Sequence, residues 1–228
     1  MSTSRKIDGV DVQTHYKDVK HQFDTAVHGI WLFMVTEILM FGAIFVGFFI
    51  YHSLYPETFA EGSRFLDWKL GFLNTLVLIF SSLTMALGIH YIQVGQNKKS
   101  IQMQAITILC AIIFMVVKYF EYTHKFHIGI FPGMMLDMEK LNQHLASVGE
   151  PLVQSKNLGL YFGFYYVMTG LHGTHILIGI GLITWTMIRT RRGDFKPNYF
   201  TAVEGVGIFW HIVDLIWIFL FPLLYLVG

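Results

Sequence analysis

Among the ionisable residues in long apolar runs are Glu37, His172, His175, His211 and Asp214. Such a side chain in hydrocarbon costs at least about 2.5–3.5 kcal/mol on insertion scales, so each needs a partner or a purpose. His90, Glu121 and Glu204 belong to the same group, while His28 and His52 stand at run ends, where an imidazole reaches headgroups and water. Imidazoles and carboxylates together can relay protons, ligate a metal or hydrogen-bond one helix to another. His172 and His175 are three apart and share a helix face, as do His211 and Asp214.

A metal centre needs more than the sequence offers. Glu121-Tyr-Thr-His124 is one copy of the Glu-x-x-His spacing of carboxylate di-iron bundles, which need a second copy and two further glutamates at matching depth. The clustered histidine boxes of membrane desaturases are missing as well. Spacing alone assigns no haem to His172, His175 or His211. The reading favoured here is a buried, hydrogen-bonded polar cluster, structural or proton-related, with no metal or cofactor held by this chain. An independent membrane metalloenzyme or transporter using the same cluster is the second reading.

The elements that must position these residues are membrane helices. Runs 28–51, 70–94, 101–120, 158–188 and 202–227 each meet the roughly 20 apolar residues needed to cross a bilayer. Apolar types make up 54% of the 228 residues and charged types 14%, against about 25% in soluble domains. Mean hydropathy is +0.52. The expected fold is an all-α integral membrane bundle of five transmembrane helices. A net charge of +1 gives no support to a nucleic-acid partner. Cys110 is the one cysteine and reads as a small apolar residue.

Arg5, Lys6, Lys17, Lys20, Lys98, Lys99, Arg189, Arg191, Arg192 and Lys196 fall on one side of such a bundle. Arg64, Lys69, Lys125, Lys140 and Lys156 fall on the other, with Lys118 near a helix end. The positive-inside rule then puts the N-terminus in the cytoplasm and the C-terminus outside. Residues 1–27 read as a cytoplasmic arm ordered by a neighbour, without the apolar stretch of a signal peptide, and 28–228 as the membrane domain. The outer loop 125–156 opens with the turn signal Phe131-Pro132-Gly133. Its 136–146 segment spaces Leu136, Leu141 and Leu145 as a surface helix would, either lying on the membrane rim or docking a periplasmic partner.

Depth links the polar residues. Glu37 is about 13 Å from the cytoplasmic end of the first helix and His175 about 20 Å from that of the fourth, at 1.5 Å per residue. His211 and Asp214 lie nine and twelve residues into the fifth, on a near-heptad stripe with Glu204. Glu37, His172, His175, His211 and Asp214 are therefore expected to form one cluster, with His175 the leading partner for His211 and Asp214. Glu121 is expected apart, near the outer surface, paired with Lys118 one turn back. Gly159 and Gly163, with Thr169 and Gly173, predict close helix approach on the fourth helix.

These residues resemble subunit III of the haem–copper terminal oxidases, the cytochrome c oxidase subunit III family, in its five-helix bacterial form. The strongest match is Thr169-Gly-Leu-His172-Gly-Thr-His175-Ile-Leu-Ile-Gly179, similar to the family's penultimate helix. Glu204-Gly-Val-Gly-Ile-Phe-Trp210-His211-Ile-Val213-Asp214-Leu-Ile-Trp217 resembles its closing helix. Thr36-Glu37, Tyr51-His52-Ser53, Leu73-Asn74-Thr75 and Glu121-Tyr122 fall on further family positions.

The resemblance implies a redox-silent subunit of a proton-pumping oxidase in the inner membrane of a bacterium. The haem and copper sit in the partner catalytic subunit, subunit I, beside which this chain and other oxidase subunits pack. It further implies support of proton uptake and protection of the catalytic subunit during turnover. Cytochrome c is the expected donor; a quinol oxidase or a nitric oxide reductase has similar chains. The commonest family members have seven helices, and this chain matches the last five. The two missing helices wall a lipid-filled cleft, so bound phospholipid is expected only in a form that does without that wall.

Overall fold

The computed structural model describes residues 4–7, 10–13, 16–131, 136–149, 151–155, 157–195, 197 and 200–226. Among the described residues seven helices follow in order: α1 Val19–Leu54, α2 Pro56–Ser63, α3 Trp68–Gln93, α4 Asn97–His127, α5 Met138–Val148, α6 Leu158–Arg192 and α7 Thr201–Tyr225. Five of them, α1, α3, α4, α6 and α7, are long and apolar enough to cross a membrane. The chain is thus the multi-pass helical bundle its hydropathy predicts.

Local chemistry sets several boundaries. Asp18, Asp67 and Asp137 each cap a helix, accepting backbone N–H groups of His21, Lys69 and Lys140 at 2.7, 2.9 and 3.0 Å. Gly193 ends α6 in the left-handed conformation at φ 79°, directly after the Arg189–Arg192 cluster that complements the helix C-terminus. At 35 residues, α6 spans about 52 Å and must run past a hydrocarbon core about 30 Å thick.

Three features depart from the sequence reading. α1 starts at Val19, so 19–27 of the expected arm is already helical. Two short strands, β1 Ser4–Ile7 and β2 Val10–Gln13, pair antiparallel with Ile7 opposite Val10. The intervening Asp8-Gly9 is the dipeptide that favours two-residue hairpins, a signal the all-helical expectation passed over. α2 was also unanticipated; its Pro56 sits at the helix start, where a missing N–H costs nothing. The Pro132-Gly133 turn lies outside the described residues, as do Lys156 and Lys196.

α3 and α4 form a hairpin joined by residues 94–96, and Gly95 takes φ 74° in that turn. α7 packs on α3 and α6 and is the most buried span; α1 leans on α7 and α6 and is the least buried. α5 matches the expected surface helix, but its Leu141 and Leu145 are buried in the core cluster with Ile128 and Ile130. It therefore packs on the bundle rather than turning its apolar face to the membrane rim.

At Gly163 and Gly173 the close approach that the small residues of α6 predicted does not occur. Nothing lies within 4 Å of a Cβ built at Gly163, and only the Met115 side chain is near one at Gly173, at 4.0 Å. The tight contact is two turns further on: a Cβ at Gly179 would stand 2.6 Å from the Trp210 ring. A large aromatic on α7 fills the groove that a second glycine would fill in a small-residue crossing.

Candidate functional site

The expected single cluster resolves into separate pairs. Glu37 on α1 meets His175 on α6, with Oε2 2.7 Å from Nε2. His175 Nδ1 is 2.7 Å from the Leu171 carbonyl, which can only accept, so Nδ1 carries a proton. One proton then lies between Nε2 and Oε2. The pair is either a neutral acid donating to imidazole or a carboxylate facing imidazolium, and it is neutral overall in both forms. Its side chains are 17% and 12% exposed, so Glu37 is sheltered between helices without being fully enclosed.

His211 and Asp214 do not join that pair. His211 Nδ1 contacts Ser82 Oγ at 2.6 Å, and Asp214 Oδ2 accepts from Ser81 Oγ at 3.2 Å. Both partners are on α3. Trp210 Nε1 donates to the same Ser81 oxygen at 3.0 Å, so one hydroxyl joins two α7 side chains. Azimuth separates them. Residues 209 and 211 differ by about 200° around a helix, and α7 turns Phe209 toward α6, its ring 6.3 Å from His175. His211 consequently faces α3.

His172 is buried between Phe114 and Trp217, with ring centroids at 5.5 and 5.0 Å. Neither ring nitrogen finds a hydrogen-bond partner among the described residues, and the same holds for the buried amide of Asn74 and for Asp214 Oδ1. Trp217 donates through Nε1 to Thr75 Oγ1 at 3.1 Å, tying α7 to α3 one residue beyond Asn74. Glu204 is half-buried in the first turn of α7, a favourable end of the helix for a carboxylate. His90 is exposed.

The densest polar site is the one the sequence underrated. Lys118 pairs with Glu121 at 2.8 Å as its spacing predicts, but Glu121 is not at a helix end, because α4 continues to His127. Lys125, read from sequence as a loop charge, is 2% exposed and reaches Glu121 Oε1 at 2.9 Å. Tyr165 and Tyr225 also donate to Oε1, at 3.0 and 2.7 Å. Lys118 donates to Tyr225 Oη as well and lies 4.5 Å from the Trp217 ring centroid. The Lys118, Glu121, Lys125 spacing of three and four was visible in the sequence; continuing the helix through 121–127 would have revealed it.

Among the described residues, no three His, Cys, Asp or Glu side chains come together as a metal site would require. What the arrangement can do is clamp helices: α1 to α6, α3 to α7, and α4 to both α6 and α7. It can also exchange one proton across the Glu37–His175 pair.

Fold and site define a multi-pass helical membrane protein whose bundle is stapled by buried ionisable groups. The sequence profile of the family described as Cytochrome c oxidase subunit III matches residues 8–131 and 153–228, and the chain belongs to that family. A probable cytochrome c oxidase subunit 3 of Rickettsia bellii is 28% identical, over 97% of this chain and 74% of its own length. The cytochrome c oxidase subunit 3 of Synechocystis is 30% identical, over 89% of this chain and 76% of its own. A heme-copper oxidase subunit I+III of Aeropyrum pernix is 27% identical, over 93% of this chain and 26% of its own length.

Proposed function

We propose that this chain is the redox-silent accessory subunit III of a proton-pumping cytochrome c oxidase, packed against subunit I in the inner membrane of a bacterium. The family match along nearly the whole chain carries the reading. Association with subunit I is supported by the Aeropyrum relative, in which subunits I and III are named as one polypeptide. An N-terminus in the cytoplasm is supported by loop charge. With Lys118 and Lys125 drawn into the buried triad, only Arg64, Lys69, Lys140 and Lys156 remain basic on the outer side.

Support of proton uptake is assigned to the Glu37–His175 pair, because a proton can pass between the two partly sheltered groups with the pair neutral before and after the transfer. Residues 28–228 form the membrane domain in this reading, and the haem and copper belong to the catalytic subunit. The test is affinity capture of the tagged chain in mild detergent. Equimolar recovery of a haem-bearing catalytic subunit is expected. Recovery of the chain without any haem protein would contradict the assignment.

A further inference from the structure

An exposed polar side chain at membrane depth can be answered within its own helix. Thr36 on α1 and Thr174 on α6 are exposed, and their hydroxyls donate back to the Phe33 and Gly170 carbonyls at 2.6 and 2.9 Å. His211 on α7 is answered on one side only. Its Nδ1 meets Ser82 Oγ of α3 at 2.6 Å, and Nε2 has no hydrogen-bond partner among the described residues. If Ser82 donates in that contact, Nε2 carries the ring proton and needs an acceptor; if Nδ1 donates, Nε2 needs a donor. The residue is half-buried, and its Nε2, unlike the two ring nitrogens of His172, is not enclosed by the chain.

Depth makes that nitrogen expensive. α7 starts at Thr201, which puts His211 about 15 Å along it, half of a hydrocarbon core about 30 Å thick. Headgroups and bulk water stand well above and below that level, so an imidazole nitrogen turned to acyl chains there is unsatisfied. Its surroundings on the face are apolar. Ile208 and Leu215 stand one turn to either side of His211 on α7, and Ile79 and Ala86 flank Ser82 in the same way on α3. Ile79, Ala86 and Leu215 are exposed, so no described element of this chain lies over them. α3 and α7, which pack on each other, thus present a two-helix face with one polar centre.

We propose that the α3/α7 face is where this chain packs on the catalytic subunit, and that a membrane helix of that subunit gives His211 Nε2 a hydroxyl, amide or carboxyl partner. The inference rests on the accessory-subunit reading and adds the contact face to it. Between membrane helices an apolar surface alone gives little preference for a neighbour over lipid, whereas a hydrogen bond across the contact does. The threonine hydroxyls of α1 and α6, bonded inward, make no such demand on a neighbour.

The test places a photoreactive benzophenone side chain at Leu215 and, in separate chains, at Leu39 of α1 and Leu109 of α4, which are also exposed. Each tagged complex is irradiated in its native membrane, captured, and its cross-linked product identified by mass. Position 215 is expected to join the catalytic subunit, and positions 39 and 109 to join lipid. His211→Leu should also weaken retention of the catalytic subunit about tenfold in a detergent dilution series. The cross-link is read in chains that keep His211, so it decides the face even where the leucine variant fails to fold. A product of position 215 with lipid alone or with a second copy of this chain overturns the face, as does a catalytic-subunit product at 39 or 109 instead. A folded His211→Leu chain that holds the catalytic subunit as firmly as wild type overturns the partner of Nε2. In all these outcomes wild type still captures a haem protein and the accessory reading stands; capture of none by wild type overturns both.

Discussion

His175 Nε2 stands 2.7 Å from Glu37 Oε2, a polar tie between α6 and the outlying helix α1. The Leu171 carbonyl holds the other ring nitrogen, so the ring cannot turn to another partner without losing that bond. Glu37→Gln preserves the contact, because an amide N–H can donate to Nε2. Glu37→Leu strands Nε2 and is expected to cost about 1–3 kcal/mol. Thermal unfolding of the purified complex separates the two; a leucine variant as stable as the glutamine variant would remove the pair from the account.

Glu121 is the carboxylate that both Lys118 and Lys125 hydrogen-bond. Glu121→Gln takes the bound carboxylate from two buried ammoniums and should destabilise the chain by about 3–5 kcal/mol. Adding Lys118→Met and Lys125→Met to the same chain should recover much of that loss, since apolar side chains of similar length need no partner. Detergent-solubilised melting curves report both effects. Wild-type stability in the single variant would mean that the triad contributes nothing.

Ser81 holds both Trp210 Nε1 and Asp214 Oδ2. Ser81→Ala is expected to cost about 1–3 kcal/mol by leaving the buried indole N–H unpaired. Asp214→Asn keeps an oxygen at the same place and should cost less. If the two rank the other way in denaturant titrations followed by tryptophan emission, the Ser81 hydroxyl is not the joint between α3 and α7.

Much of this architecture was legible in the sequence, because burial in a bilayer turns hydropathy into helix count directly. Glu37, His175, His211 and Asp214 were also recognised as needing partners. Their partners were misjudged because depth follows from counting residues along a helix, whereas azimuth depends on which side chain each helix turns to its neighbour. Phe209 took the place expected for His211 against α6. Lys125 was missed for a different reason: charged and aromatic residues after Phe120 ended the apolar run, while α4 continues to His127 and sets Lys125 one turn from Glu121.

The anchor of the 151–155 segment is pH-sensitive. Burial pushes the Glu61 carboxyl up, but the amides of Ser155 and Gln154 and the nearby Arg64 charge outweigh it and hold the pKa below the ordinary 4.5. A depressed carboxylate pKa stabilises the folded contact above the unfolded value and loses that stabilisation as pH falls through the folded one. Protection factors of the 151–155 amides, taken relative to intrinsic exchange at each pH, should therefore be high at pH 7 and fall below about pH 4.5. Glu61→Gln should exchange faster at pH 7 and lose the acid dependence. An identical profile in that variant would place the anchor elsewhere.

The central claim is that this chain sustains an oxidase without holding its redox centres. The most direct measurement pairs a reduced-minus-oxidised spectrum with a turnover time course, on complexes with and without the chain at equal amounts of catalytic subunit. Unchanged haem and copper signals, with activity that is slower or declines during turnover when the chain is absent, are the predicted result. Loss of a haem or copper signal with the chain, or full and lasting activity without it, would contradict the account.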